Sequence, residues 1–308
     1  MATESQSPRL RPQQEGELHM PRLDATGEIK HYLETGEHDM LFPAWSGVNT
    51  VDRLNRGHRE LLAALVDEVK RRAGRPVVPR CLRGLDLVGF GRKKAEPMVR
   101  GLFPKAEQDT VLSLLERSVV FLTSETIGPT LLGCEWLSSA WKLANLYLGS
   151  VGAELLGQDA PELVGYSEDT TCFVSLDYFR HEDPFADFVV HEIAHIFHNC
   201  KRRTAGLPET RTREWLLDID FRKRETFAYA CEAYFRVVER GRTVSDRRVL
   251  AQEFDGFRVD DDRVDSSEVA SVVREACGHR NGWKVILAHC APPRRPRSAQ
   301  RSSQSTSA

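Results

Sequence analysis

His191, Glu192 and His195 stand in the order His-Glu-x-x-His inside the run from Phe185 to Cys200. On a helix of 3.6 residues per turn the two histidines fall one turn apart on one face, so both imidazoles can reach a single ion. Glu192 points about a quarter-turn away. There it is too far round to share that ion and well placed to hydrogen-bond a water the ion holds. These are the two tasks of a hydrolytic zinc site. Phe188, Val189, Val190, Ile193, Ala194, Ile196 and Phe197 surround the polar trio, and no Pro or Gly interrupts the run. That pattern predicts a helix buried in a core with its histidines facing a cleft.

Zinc held by two histidines needs a third protein ligand, with one position left for water. The segment Arg222 to Arg240 carries Phe227, Ala230, Cys231, Tyr234, Phe235 and Val238 at helical spacing. Glu225 opens it, Glu232 follows two turns on, and Tyr229 lies between them on the same face. A carboxylate among alanines and aromatics is costly to bury unless it is paired or binds a metal, so both glutamates are candidate ligands. His198 is another, three residues after His195 on nearly the same arc. One straight helix rarely bends three side chains onto a tetrahedral ion, and the plainer reading of His198 is a cleft wall or a partner behind a ligand.

An HExxH helix, a loop and a second helix bearing a glutamate give residues 165 to 240 a pattern that resembles the gluzincin branch of the zincin-like metallopeptidases. The resemblance implies an α+β fold, mainly helical, with a small mixed sheet whose edge strand flanks the metal-binding helix and pairs with extended substrate. It further implies one catalytic Zn2+ on His191, His195 and Glu225, Glu192 as general base, and a peptide or protein substrate. Tyr229 stands where the family has an acidic or small residue four positions after the ligand glutamate. The partner of one histidine is therefore unassigned, with Asp218 and Asp220 as further candidates for that place. Tyr229, His279 and His289 are candidate donors to a developing oxyanion.

With 308 residues and 41% hydrophobic content, the chain has enough to build a substantial core. A net charge of −2 gives the whole chain no attraction to nucleic acid or membrane. Its N-terminus has no apolar stretch behind a positive start, and no run of eighteen apolar residues occurs, so the expected location is cytoplasmic. Seven cysteines without a CxxC pair fit a reducing compartment and read as small buried hydrophobes.

In chain order, residues 1–28 and 291–308 are expected to be disordered tails. Residues 29–128 form an N-terminal helical and loop region, and 129–290 the metal-binding core. A helix is predicted from Val51 to Ala73, ended by Gly74 and Pro76, with His58 packed on its apolar face. Between residues 75 and 104 the prolines and glycines predict loops and short extended pieces. There Gly89 to Lys94 lacks the Gly-Lys-Ser/Thr ending of a phosphate loop and reads as a basic surface turn. A helix from Lys105 to Arg117 and a strand from Val119 to Thr123 follow.

Thr130 to Leu156 is predicted as one long helix, with Trp136 and Trp141 as core or interface anchors, residues 159–169 as a polar connection, and Thr171 to Phe179 as the strand beside the cleft. Asp183 is the predicted N-cap of the metal helix. Lys201, Arg202, Arg203, Arg211, Arg213, Arg222, Lys223 and Arg224 give the connection between the site helices a basic character. It reads as a solvated surface, or as a cleft rim selecting an acidic substrate or contacting nucleic acid. Asp260 to Asp262 with Asp265 reads as an exposed acidic turn. A last helical region spans Ser267 to His289. The alternative to a peptidase is a non-catalytic binding or regulatory protein that meets a protein or nucleic-acid partner through the basic segment.

Overall fold

The structure is a computed structural model and describes residues 23–74, 84–157, 165–168, 170–180, 183–210, 213–254, 259 and 261–293. These residues form eleven α-helices and a three-stranded mixed sheet, in keeping with the expected α+β, mainly helical architecture. The expected tails lie largely outside the described residues, although helix α1 (Ala25–Thr35) already begins within the first of them, capped by the Asp24 side chain on the Gly27 N–H at 2.8 Å.

Helix α2 (Thr50–Ala73) matches its prediction: Leu61, Leu62, Leu65, Val66 and Val69 recur every three or four residues and are buried. His58 on this helix is half-buried, its Nε2 3.1 Å from the Glu135 carbonyl oxygen. The long helix expected from Thr130 is two: α5 (Ile127–Leu132) and α6 (Leu137–Ser150). The break falls at Gly133–Trp136, leaving Trp136 exposed while Trp141 packs inside and donates to the Leu33 carbonyl. Helices α1, α2, α5 and α6 share one core.

The largest departure is α3 (Leu87–Leu102), a helix where loops were expected. Ala95, Met98, Val99 and Leu102 form a buried stripe that outweighs the cost of Pro97 in a helix interior, about 3 kcal/mol. Gly101 is required rather than disruptive. A Cβ there would come within 2.1 Å of the Trp283 ring, so the glycine lets this helix seat against its neighbour. Lys94, expected on a surface turn, is buried. Helix α4 (Lys105–Ser118) follows as predicted.

Strand β1 (Val119–Phe121) pairs in parallel with β3 (Thr171–Val174), and β2 (Gly165–Glu168) pairs antiparallel on its other side. The strand expected as far as Phe179 therefore stops at Val174 and turns into a 3-10 helix, Leu176–Arg180. It lies at the centre of the sheet rather than at its edge. The edge strand toward the histidine helix is β2, drawn from the stretch expected to be a polar connection.

Helices α7 (Phe188–Asn199), α8 (Arg224–Arg240), α9 (Val244–Glu253), α10 (Ser266–Cys277) and α11 (Gly282–Cys290) complete the second core together with α3 and α4. The six described cysteines are buried and unpaired, and no described helix is long and apolar enough to cross a membrane.

Candidate metal centre

Helix α7 begins at Asp187, not at Asp183. Asp187 Oδ1 accepts from the Val190 N–H at 3.3 Å and from the Tyr178 hydroxyl at 3.0 Å, and Oδ2 accepts from Lys94 Nζ at 2.8 Å. Asp183 instead accepts from the Phe185 and Ala186 N–H groups, one turn earlier in the approach to the helix. The Lys94–Asp187 pair is buried at both ends, so it holds the start of α7 rigidly one turn before His191. Val189, Val190, Ile193, Ala194, Ile196 and Phe197 pack that helix into the core, as their spacing predicts.

Packed across α7, α8 brings Glu225 to both histidines. His191 Nε2 and His195 Nε2 lie 3.0 Å apart, and Glu225 Oε2 is 3.7 Å from the first and 3.3 Å from the second. Ligand bonds of 2.0–2.1 Å at a tetrahedral ion would space such atoms about 3.3–3.4 Å apart, so the three distances bracket the ideal. His191, His195 and Glu225 could hold a metal ion.

The two other candidates for the third ligand sit behind the rings. Glu232 Oε2 is 3.3 Å from Nδ1 of His191, the nitrogen turned away from the cluster. His198 Nε2 is 2.9 Å from Nδ1 of His195. One set of tautomers satisfies the chain of contacts: His195 Nδ1–H donates to His198 Nε2, and His198 Nδ1–H donates to Asn199 Oδ1 at 3.0 Å. Burial, reinforced by the charges of His195 and Arg224, pushes the His198 pKa down to about 3, which keeps its ring a neutral acceptor. Each cluster histidine is thus oriented through its second nitrogen, the arrangement that fixes metal-binding imidazoles.

Burial of the His191 ring opposes its protonation, but hydrogen bonds with Glu225 and Glu232 outweigh it and raise the pKa to about 10. Contact with His191, then His195, holds the Glu225 carboxyl well below the usual range. Burial raises Glu232. The cluster is therefore a pocket of negative character that favours a cation, whether a proton or a metal ion. The Tyr229 ring meets His191 edge-on at 4.5 Å.

Three contributors had no sequence signal or a misleading one. Ser167 on β2 donates its hydroxyl to Oε2 of Glu192. Arg263 Nη1 lies 3.0 Å from Glu225 Oε1, leaving Oε2 to the histidines, and its guanidinium is held by Asp261. The turn expected to be exposed and acidic is exposed at Asp262, Arg263 and Asp265 and half-buried at Asp261, and it reaches the cluster through the contact of Arg263 with Glu225. Lys94 acts through Asp187. The signal that could have identified Asp187 is its place directly before the apolar run Phe188-Val189-Val190.

Other expected participants stand elsewhere. Asp218 is exposed, and Asp220 accepts from the Arg222 N–H at 2.9 Å. His289 Nε2 pairs with Glu268 at 2.8 Å, and His279 closes the end of α10 with its backbone N–H on the Ala276 carbonyl. Neither has a described contact with the cluster. A scan against protein-family models and searches of curated proteins and of solved structures find no match to this chain, so the case for its chemistry rests on the residues and distances above.

Proposed function

We propose that the chain is a zinc-dependent hydrolase of the zincin type, and specifically a metallopeptidase. One observation carries the reading. His191, His195 and Glu225 converge, while Glu192 stays outside the trio, held by Ser167 from the edge strand β2. A purely structural ion would have no use for a carboxylate in that place.

Zn2+ on these three residues supplies Lewis acidity, which lowers the pKa of a water and polarises a carbonyl. The chain's own residues supply the rest. Glu192, with Oε2 engaged by Ser167, offers Oε1 to take a proton from water and pass it to the leaving amine. Glu232 and His198 keep the two rings in register, and Arg263 holds Glu225 so that one oxygen faces them. Burial, followed by the charge of Asp261, raises the Tyr229 phenol to about 12, so it keeps its proton at neutral pH and can donate to a developing oxyanion.

The competing reading, a binding protein that uses its basic segment, draws less support. Lys201 pairs with Glu214, Arg202 and Arg213 with Glu107, Arg203 with Glu209 and Lys223 with Glu268, so four carboxylates already offset part of that charge. The test is elemental analysis and a peptide-library digest of dialysed protein. About one zinc per chain and cleavage that vanishes in Glu192→Gln with zinc retained are expected. Full cleavage by Glu192→Gln would remove the general base, and zinc-free wild-type protein would remove the centre.

A further inference from the structure

Successive residues of a strand point to opposite faces of a sheet. Ser167 turns to Glu192 on α7, whereas its neighbours Tyr166 and Glu168 turn to α6, with the Tyr166 hydroxyl 3.1 Å and Glu168 Oε1 2.6 Å from the Ser139 hydroxyl. On this second face, away from the metal cluster, a cavity of about 400 Å³ lies between the paired ends of β2 and β3 and the break that separates α5 from α6. Glu168, Thr171 and Phe173 line it from the sheet, and Pro129, Glu135 and Trp136 from the helices and their break.

The lining holds two carboxylates and no cation. Glu168 accepts from a neutral hydroxyl, and among the described residues neither it nor Glu135 has a Lys, Arg or His within ion-pair distance. Lys142, on the same side, lies 5.5 Å from the centre of the Tyr166 ring instead. Trp136 is an independent feature of the same cavity. It stands at the N-cap position of α6, outside both helices, and is 58% exposed. Tryptophan is the ring that attracts cations best and is prominent among residues that carry binding energy.

The walls between these groups, Pro129 and Phe173, are apolar and suit a methylene stem. An unbranched side chain with a cationic tip therefore matches the whole lining. A guanidinium matches it better than an ammonium, because its plane stacks on an indole and its parallel N–H groups meet a carboxylate. Strand β2 has β3 on one side and no described strand on the other, so a peptide can lie along that edge and send alternate side chains to the two faces. That makes a peptide the bearer of the guanidinium.

We infer that the cavity between Trp136, Glu135 and Glu168 is a binding site for the side chain of an arginine in a peptide laid along β2. The site lies across the sheet from the metal centre and goes beyond the hydrolase reading, since it needs no metal.

The experiment uses the full chain carrying Glu192→Gln, so that binding is read without turnover, with and without zinc. Fluorescein-labelled, amidated alanine hexapeptides with one central Arg, Lys or citrulline are titrated by anisotropy. The arginine peptide is expected to bind roughly 10–100-fold more tightly than its neutral isostere citrulline, with lysine between them. Adding Glu135→Gln and Glu168→Gln together should erase that difference, and Trp136→Ala should reduce it, with zinc content unchanged in all. Glu125→Gln, outside the cavity, should leave it as it was. Equal binding of arginine and citrulline peptides, a preference that survives the double substitution or is lost equally in Glu125→Gln, or no binding at all overturns the site. Displacement by Nα-acetylarginine amide as effectively as by the hexapeptide would assign the cavity to a small guanidinium compound and overturn the peptide. Arginine binding without zinc and without any peptide cleavage by the wild-type chain would sink the peptidase and leave this site, whereas cleavage indifferent to arginine with no such binding would do the reverse.

Discussion

Nδ1 of His191 lies 3.3 Å from Oε2 of Glu232, so the carboxylate two turns after Glu225 backs the ring whose other nitrogen faces Glu225. Helix α8 therefore touches one histidine at both nitrogens. It fills the place that Tyr229, by its position, leaves open.

Glu232→Gln should weaken zinc binding by roughly 10–100-fold while leaving one site per chain at saturating zinc, because the carboxylate orients the ring and raises its basicity. Competition with a chromophoric chelator measures this directly. Unchanged affinity would mean that Glu232 serves only the core.

Zinc uptake should release about one proton at pH 7, since His191 is held protonated and must lose that proton to bind metal. Affinity then climbs as pH rises toward about 10. The metal-free protein should show the matching stability trend. A histidine whose folded pKa is raised contributes stability that is complete below its unfolded pKa of 6.5 and is lost as pH rises through about 10. Calorimetry in buffers of different ionisation enthalpy counts the protons, and uptake with none released would contradict the assignment.

Ser167→Ala should lower kcat about tenfold with zinc content unchanged, because a hydrogen bond to a charged carboxylate contributes roughly 1.5–3 kcal/mol and here it holds the proton-accepting group. A fall in zinc content instead would place Ser167 in the support of the helix rather than of Glu192.

Lys94→Met should destabilise the fold by roughly 3–5 kcal/mol in urea denaturation, since it leaves Asp187 buried without its cation. The double variant Lys94→Met, Asp187→Asn should recover much of that loss, because asparagine caps a helix as well as aspartate does. A single variant as stable as wild type would show that Tyr178 and the Val190 N–H suffice for Asp187.

Arg263→Gln should reduce zinc affinity less than Glu232→Gln does. Its side chain is 70% exposed, and its contact with Glu225 is correspondingly weakened by solvent. Chelator competition on the two variants side by side gives the ranking, and the reverse order would make the loop at Asp261 the stronger support of the centre.

Sequence alone determined the parts of the site that lie within one helical element. The spacing of His191 and His195 is set by helix pitch, and the apolar runs of α7 and α8 announce both helices, because burial of a stripe leaves a period in the chain. The same period was present in α3, but Pro97 and three glycines masked it, since their local cost is visible in sequence and the packing that offsets it is not. Only the tertiary structure groups Glu225, rather than Glu232 or His198, with the two Nε2 atoms, because which nitrogen each meets depends on how α8 crosses α7. It alone placed β2 at the sheet edge and β3 at its centre. It alone recruited Ser167, Lys94 and Arg263, which reach the site from 25, 93 and 38 positions along the chain from Glu192, Asp187 and Glu225. Contacts between elements carry no periodic signature in the chain, and only the packed core brings such residues within hydrogen-bond distance.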